Sequence, residues 1–188
     1  MRRRDVLKYA AYASGAAVSS PLFNSILSGT VSNFLNRTEN YKPLFLNEQQ
    51  FMLLRDIADA ILPKTDSPSA SEVGVPATID AIIGNAYSKK DQQEFKKRFS
   101  NLEVYLKRQN FSESDQKKKV AILSALNDSK DEKLGLTRWA YIDIKQQTIS
   151  YYLSSEEIGE NYLNYLPVPG YYDPCITLES VNGKAWSI

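Results

Sequence analysis

The 188-residue chain has no histidine and a single cysteine, Cys175. The first absence removes Ser-His-Asp and Cys-His nucleophile pairs, histidine-containing zinc sites and histidine-ligated haem. One thiol alone cannot hold an iron–sulfur cluster or a structural zinc. The sequence also lacks a Cys-x-x-Cys-His haem-attachment run, a Gly-x-Gly-x-x-Gly dinucleotide fingerprint and a Walker loop. Redox chemistry involving this chain therefore needs a partner that carries the cofactor. Charge has no dominant sign either, with 23 basic against 22 acidic residues, so the overall balance marks neither a nucleic-acid binder nor a polybasic membrane binder.

The apolar content of 43% is enough for one globular domain with a core, and the length is too short for two. The N-terminus reads as an address. Arg2, Arg3, Arg4 and Lys8 precede an alanine-rich, weakly apolar stretch from Tyr9 to Val18. Arg3, Arg4, Leu7 and Lys8 fit the twin-arginine export pattern, with Arg2 and Val6 departing from its commoner residues. A membrane anchor needs about 20 unbroken apolar residues, and Ser19, Ser20, Pro21 and Asn24 interrupt the run. Setting aside Arg2, Arg3, Arg4, Lys8 and Asp5 leaves 19 basic and 21 acidic residues, a net charge of −2. Residues 1–30 are read as the export signal, 31–45 as a linker and 46–188 as the folded domain.

Helical periodicity runs through that domain. Asn47 with Gln50 forms a capping box ahead of Phe51, Leu54, Ile57, Ala58 and Ile61, and Pro63 ends the helix. After a turn-rich loop, Gly74-Val75-Pro76 opens a second helix with Ile79, Ile82 and Ile83 inward, expected to end near Ser88. Ser88 with Asp91 starts a third, carrying Phe95, Phe99, Leu102 and Leu106. Ser112 with Asp115 starts a fourth, bearing Val120, Leu123 and Leu126 inward and Lys117, Lys118 and Lys119 on a solvated face. A fifth is expected over residues 132–153, with Trp139, Ile142, Ile149 and Tyr152 on its inner side. Beyond Ser154 a tyrosine- and proline-rich tail follows without strand alternation, so the fold class is all-α, about five helices with an extended C-terminal segment.

Several features together resemble the gluconate 2-dehydrogenase subunit 3 family. They are Pro63, Thr65, Asp66, Pro68 and Ala70, then Gly74 and Val75, then Glu157 and Gly159. Pro167-Val168-Pro169-Gly170, Tyr172 and Cys175 follow, and lastly Gly183-Lys184-Ala185-Trp186. Ser69 and Lys184 stand where the family typically has glycine and arginine. The resemblance implies the small, cofactor-free subunit of a membrane-associated, FAD-dependent dehydrogenase of gluconate, glucose or a related sugar. Its implied partners are the flavoprotein large subunit, a multi-haem cytochrome subunit bearing haem c, and the twin-arginine translocase, with no nucleic acid. The implied location is the periplasm, held at the membrane through the complex, with the signal on the small subunit serving the flavoprotein as well.

Within that frame the partner interface is expected at Tyr165, Pro167, Pro169, Gly170, Tyr172 and Trp186, because amphipathic aromatics are the usual anchors of protein interfaces. Carbohydrate stacking is the competing use of the same tyrosines. Cys175, odd in an oxidising compartment, is either a free thiol or half of an intersubunit disulfide, with a small buried apolar cysteine as the plainer reading. Asp66 and Asp80 form a candidate carboxylate pair and, with Asp59, the acidic group near the loop expected to be ordered, but carboxylates at turns and helix ends are mostly caps, and Asp66 is expected to cap its own turn. No catalytic, cofactor-binding or metal-ligating residue is assigned. The alternatives to an accessory subunit are a stand-alone scaffold or binding protein and, behind it, a carboxylate-dependent sugar hydrolase, which requires a deep pocket and a carboxyl of raised pKa.

Overall fold

In the computed structural model the described residues are 41–166, 168, 170 and 175–187, and the export-signal residues Arg3, Arg4, Leu7 and Lys8 lie outside them. The compact unit spans Lys42–Ile188 and is helical, without strands among the described residues.

α1 (Glu48–Ile61) begins at Asn47, whose side chain accepts the Gln50 amide at 2.8 Å while the Gln50 side chain accepts the Asn47 amide at 3.3 Å, satisfying two donors that a helix start leaves open. Leu62 caps it ahead of Pro63. α2 (Val75–Asn85) starts after Gly74, whose φ of +81° is a backbone state that favours glycine, and has Pro76 in its first turn, where no amide is needed. α2 ends at Asn85, short of the expected Ser88. The reason is Gln92 of α3 (Lys89–Arg108), whose side-chain amide donates to the Ile83 and Gly84 carbonyls at 2.9 and 3.0 Å and so closes the helix end.

α3 buries the foreseen stripe of Phe95, Phe99, Leu102 and Leu106, with the Phe95 and Phe99 rings stacked at 5.6 Å and Phe45 meeting Phe95 edge-on at 6.2 Å. Each of these side chains contributes about 1.5–3 kcal/mol through burial. α4 (Gln116–Asp128) is capped by Asp115, not Ser112, since the Asp115 carboxylate accepts the Lys118 amide at 3.0 Å. Its buried side chains are Leu123 and Leu126, Ile122 packs partly buried against the core, and Val120 is exposed.

A single 3-10 turn (Glu132–Leu134) leads into α5 (Gly135–Leu153), the central helix, which packs against α1, α2, α3 and α4. The expected inner side of α5 is corrected by the structure. Thr137, Ala140, Tyr141, Ile144, Thr148 and Tyr152 are buried, whereas Trp139 is 53% exposed and Ile149 36%. The helix has apolar residues on two faces, and the face with small and hydroxyl-tipped side chains fits between four neighbours. The bulkier face is left outside. Burial raises the pKa of Tyr141, and nearby Asp128 adds to the shift.

α6 (Glu156–Asn161) is a short helix that precedes the tail, within which a second 3-10 turn covers Glu179–Val181.

Candidate functional site

Residues 62–74 form a loop held by its own polar groups. Ala70 donates to the Leu62 carbonyl at 3.0 Å, closing the loop at its neck, and Ser71 donates to Asp59 of α1 at 2.8 Å. Ser69 donates its amide to Glu72 at 2.8 Å and its hydroxyl oxygen receives the Glu72 amide at 3.4 Å, a local turn that needs no left-handed backbone. The positive-φ residues other than glycine among those described are Asn110 and Asn182, so serine at position 69 is accommodated without strain. Asp66 is exposed, and its turn is closed by the Thr65 amide donating to the Ser67 carbonyl at 3.0 Å rather than by its own carboxylate.

From the central helix, the buried Tyr152 phenol donates to the Pro68 carbonyl at 2.7 Å and lies 2.9 Å from the Ser67 hydroxyl. Lys64 and Glu72 pair at 2.7 Å at the surface, raising the lysine pKa and lowering that of the glutamate, and Tyr162 adds a smaller push to the lysine. Tyr162 opens the tail, so loop and tail adjoin.

The tail folds back on α6. Asn164 and Trp186 form an isolated parallel bridge, with the Asn164 amide donating to Ala185 at 2.7 Å and the Ser187 amide donating to Asn164 at 3.1 Å. Lys184 Nζ donates to the Asn161 carbonyl at 3.0 Å, a contact that lysine supplies with its point charge. At Gly159 an added Cβ would stand 3.2 Å from the Ser187 hydroxyl, so tail and helix meet closely there.

These contacts gather the loop of Pro63, Thr65, Asp66 and Pro68, the α6 residues and the 183–186 segment at one end of the domain. They leave apolar surface uncovered: Tyr165 and Leu166 are each 50% exposed, Trp186 46% and Leu178 69%. Gly170 is exposed with φ +71°, and Cys175 is exposed rather than packed as a buried apolar thiol. Pro167, Pro169 and Tyr172 lie outside the described residues.

The carboxylate pair does not assemble. Asp80 is fully buried, and its carboxylate accepts the amides of Leu44, Phe45 and Leu46 at 2.6, 3.2 and 2.8 Å, pinning the chain that leads into α1. Sequence reasoning missed this clamp. Its signal was an acid among Ile79, Ile82 and Ile83 on an otherwise apolar helix, a position that demands hydrogen-bond donors.

A groove of about 390 Å³ lies elsewhere, between α1 and the end of α3, lined by Met52, Leu53, Glu103, Lys107, Phe111 and neighbouring residues. There Lys107, at 2.7 Å, and then Gln50 hold the Glu103 pKa below its usual value. That is the opposite of the raised carboxyl that a glycosidic acid requires.

The family description "Gluconate 2-dehydrogenase subunit 3" matches residues 48–170, from the first turn of α1 through the loop, the central helix and the start of the tail. The match stops before Cys175 and Trp186. No curated protein and no solved structure matches the chain. With about two thirds of its length matched, and the loop that marks the resemblance locked onto the central helix by Tyr152, the chain belongs to the gluconate 2-dehydrogenase subunit 3 family.

Proposed function

We propose that this chain is the non-catalytic small subunit of a periplasmic, membrane-associated FAD dehydrogenase oxidising gluconate, glucose or a related sugar, and that it exports and stabilises the flavoprotein. Family membership supports a place in a gluconate 2-dehydrogenase-like complex with partner subunits. The observation that carries the rest is the tail end of the domain. Tyr165, Leu166, Leu178 and Trp186 expose large apolar side chains on a backbone fixed by the Asn164–Trp186 bridge. Large apolar side chains on a backbone tied at Asn164 and Trp186 lose less entropy on docking than those of an untied segment, which suits them to anchor a partner.

On this reading FAD sits in the large subunit and haem c in a cytochrome subunit, and the small subunit supplies surface. The twin-arginine pattern at Arg3 and Arg4 supports export of an already folded assembly through the twin-arginine translocase. On the same reading Cys175, exposed and the sole cysteine of the chain, forms a disulfide with the flavoprotein.

The test is to replace Arg3 and Arg4 by lysine in the native host and follow the flavoprotein. The proposal expects both proteins to remain in the cytoplasm. Normal export of the flavoprotein while this chain is retained would overturn it.

A further inference from the structure

We infer that the outer surface shared by α3 and α5 docks on an anionic phospholipid bilayer. The near-neutral charge of the whole chain conceals a segregation. α3 carries seven basic residues against three acidic ones, while residues 156–187 carry five acidic residues against Lys184 alone.

Lys90, Lys97 and Arg108 recur at seven and eleven residues, close to whole numbers of helical turns, and therefore line one outward stripe, with Lys89 and Lys96 about 100° round the helix on the flank away from Arg98. All five are exposed, and among the described residues none of the five joins an ion pair. Of the α3 carboxylates, Asp91 faces Ser88 and Glu103 faces Lys107, leaving Glu94 as the counter-charge on this side.

The neighbouring element supplies the apolar component. Arg98 and Asp143 bond at 2.6 Å across the seam between α3 and α5, neutralising each other. One turn before Asp143 stands Trp139, 53% exposed, with Leu136 50% exposed next along the helix. Arg138, next to Trp139 in the sequence, donates to the Ser129 carbonyl at 3.1 Å. Cations spread along a helix beside an exposed indole match a headgroup layer, where lysine is drawn by diffuse negative charge and tryptophan rests at the interface. Four of the five unpaired cations are lysines, which suit a diffuse field of phosphates better than the fixed forks by which arginine recognises a protein carboxylate. The acidic C-terminal segment is repelled by the same membrane, which leaves the tail free for a protein partner.

The experiment uses the full chain with Arg2, Arg3 and Arg4 changed to glutamine, so that the N-terminal cluster does not contribute. Binding is read by sedimentation with vesicles of phosphatidylcholine alone or with about 30% phosphatidylglycerol, at about 0.05 M and about 0.5 M salt. The expected result is binding to the anionic vesicles at low salt, reduced about tenfold by Lys90→Glu, Lys97→Glu and Arg108→Glu together and less by the corresponding glutamine changes. Trp139→Ala is expected to lower the binding that survives high salt. Equal binding to neutral vesicles, or undiminished binding by both triple variants, overturns the inference. Vesicle binding kept by the charge-reversed variant while a protein partner is lost also overturns it, and assigns the face to an acidic protein. Because flavoprotein capture is a separate readout, failure here is distinguishable from failure of the escort role.

Discussion

The Tyr152 phenol donates to the Pro68 carbonyl at 2.7 Å, so that the last turn of the central helix holds the 62–74 loop. Removing that hydroxyl with Tyr152→Phe keeps the packing and deletes the bond. The expected cost is about 1 kcal/mol of stability, with faster amide exchange in residues 64–72 than elsewhere. Unchanged exchange there would show that the loop is held by its internal bonds alone.

Asp80 makes a larger demand. Its buried carboxylate satisfies three consecutive amides, so Asp80→Ala leaves those of Leu44, Phe45 and Leu46 without their acceptor, that of Leu46 in a buried position. A loss of about 3 kcal/mol is expected in urea unfolding, together with new protease cleavage near residues 41–46. A loss below about 0.5 kcal/mol contradicts the clamp.

The Glu103–Lys107 pair sets a pH signature. Because the folded pKa of Glu103 lies below its usual 4.5, its contribution is present above the unfolded value and is lost as pH falls through the folded value. Lys107 is 64% exposed, so the gain is modest, about 0.5 kcal/mol. Glu103→Gln is therefore expected to be less stable than the parent at neutral pH, with the two converging under acid. A difference that stays constant with pH would assign the loss to packing instead.

At the tail, Tyr165→Ala and Trp186→Ala separate docking from folding. Both side chains are about half exposed, so stability is expected to change by less than about 1 kcal/mol. Flavoprotein capture is expected to fall at least tenfold, as for interface anchors. Equal capture by the double variant would remove the tail from the interface.

Much of this was legible in the sequence because it depends on local rules. Asn47 with Gln50, Gly74 with Pro76, and Ser88 with Asp91 mark helix starts through short-range hydrogen bonding, and each start lies where the spacing puts it. The α3 stripe was equally plain, since its opposite face is mostly charged or polar, with Val104 the exposed exception. α5 was misread for the converse reason. With Trp139 and Ile149 on one side and Tyr141, Ile144 and Tyr152 on the other, periodicity cannot say which apolar side meets the core, and only the arrangement of α1 to α4 decides. The Asp80 clamp spans more than thirty residues of chain, a partnership no local pattern encodes. The segregation of charge onto α3 was hidden by counting charges over the whole sequence.

The central claim is that this chain escorts a flavoprotein, and affinity purification of the tagged chain from its native host envelope tests it most directly. The account predicts a co-purifying protein in near-equal amount with the visible absorbance of bound flavin, linked to Cys175 in non-reducing electrophoresis. A chain recovered without flavin and without a companion protein would contradict it.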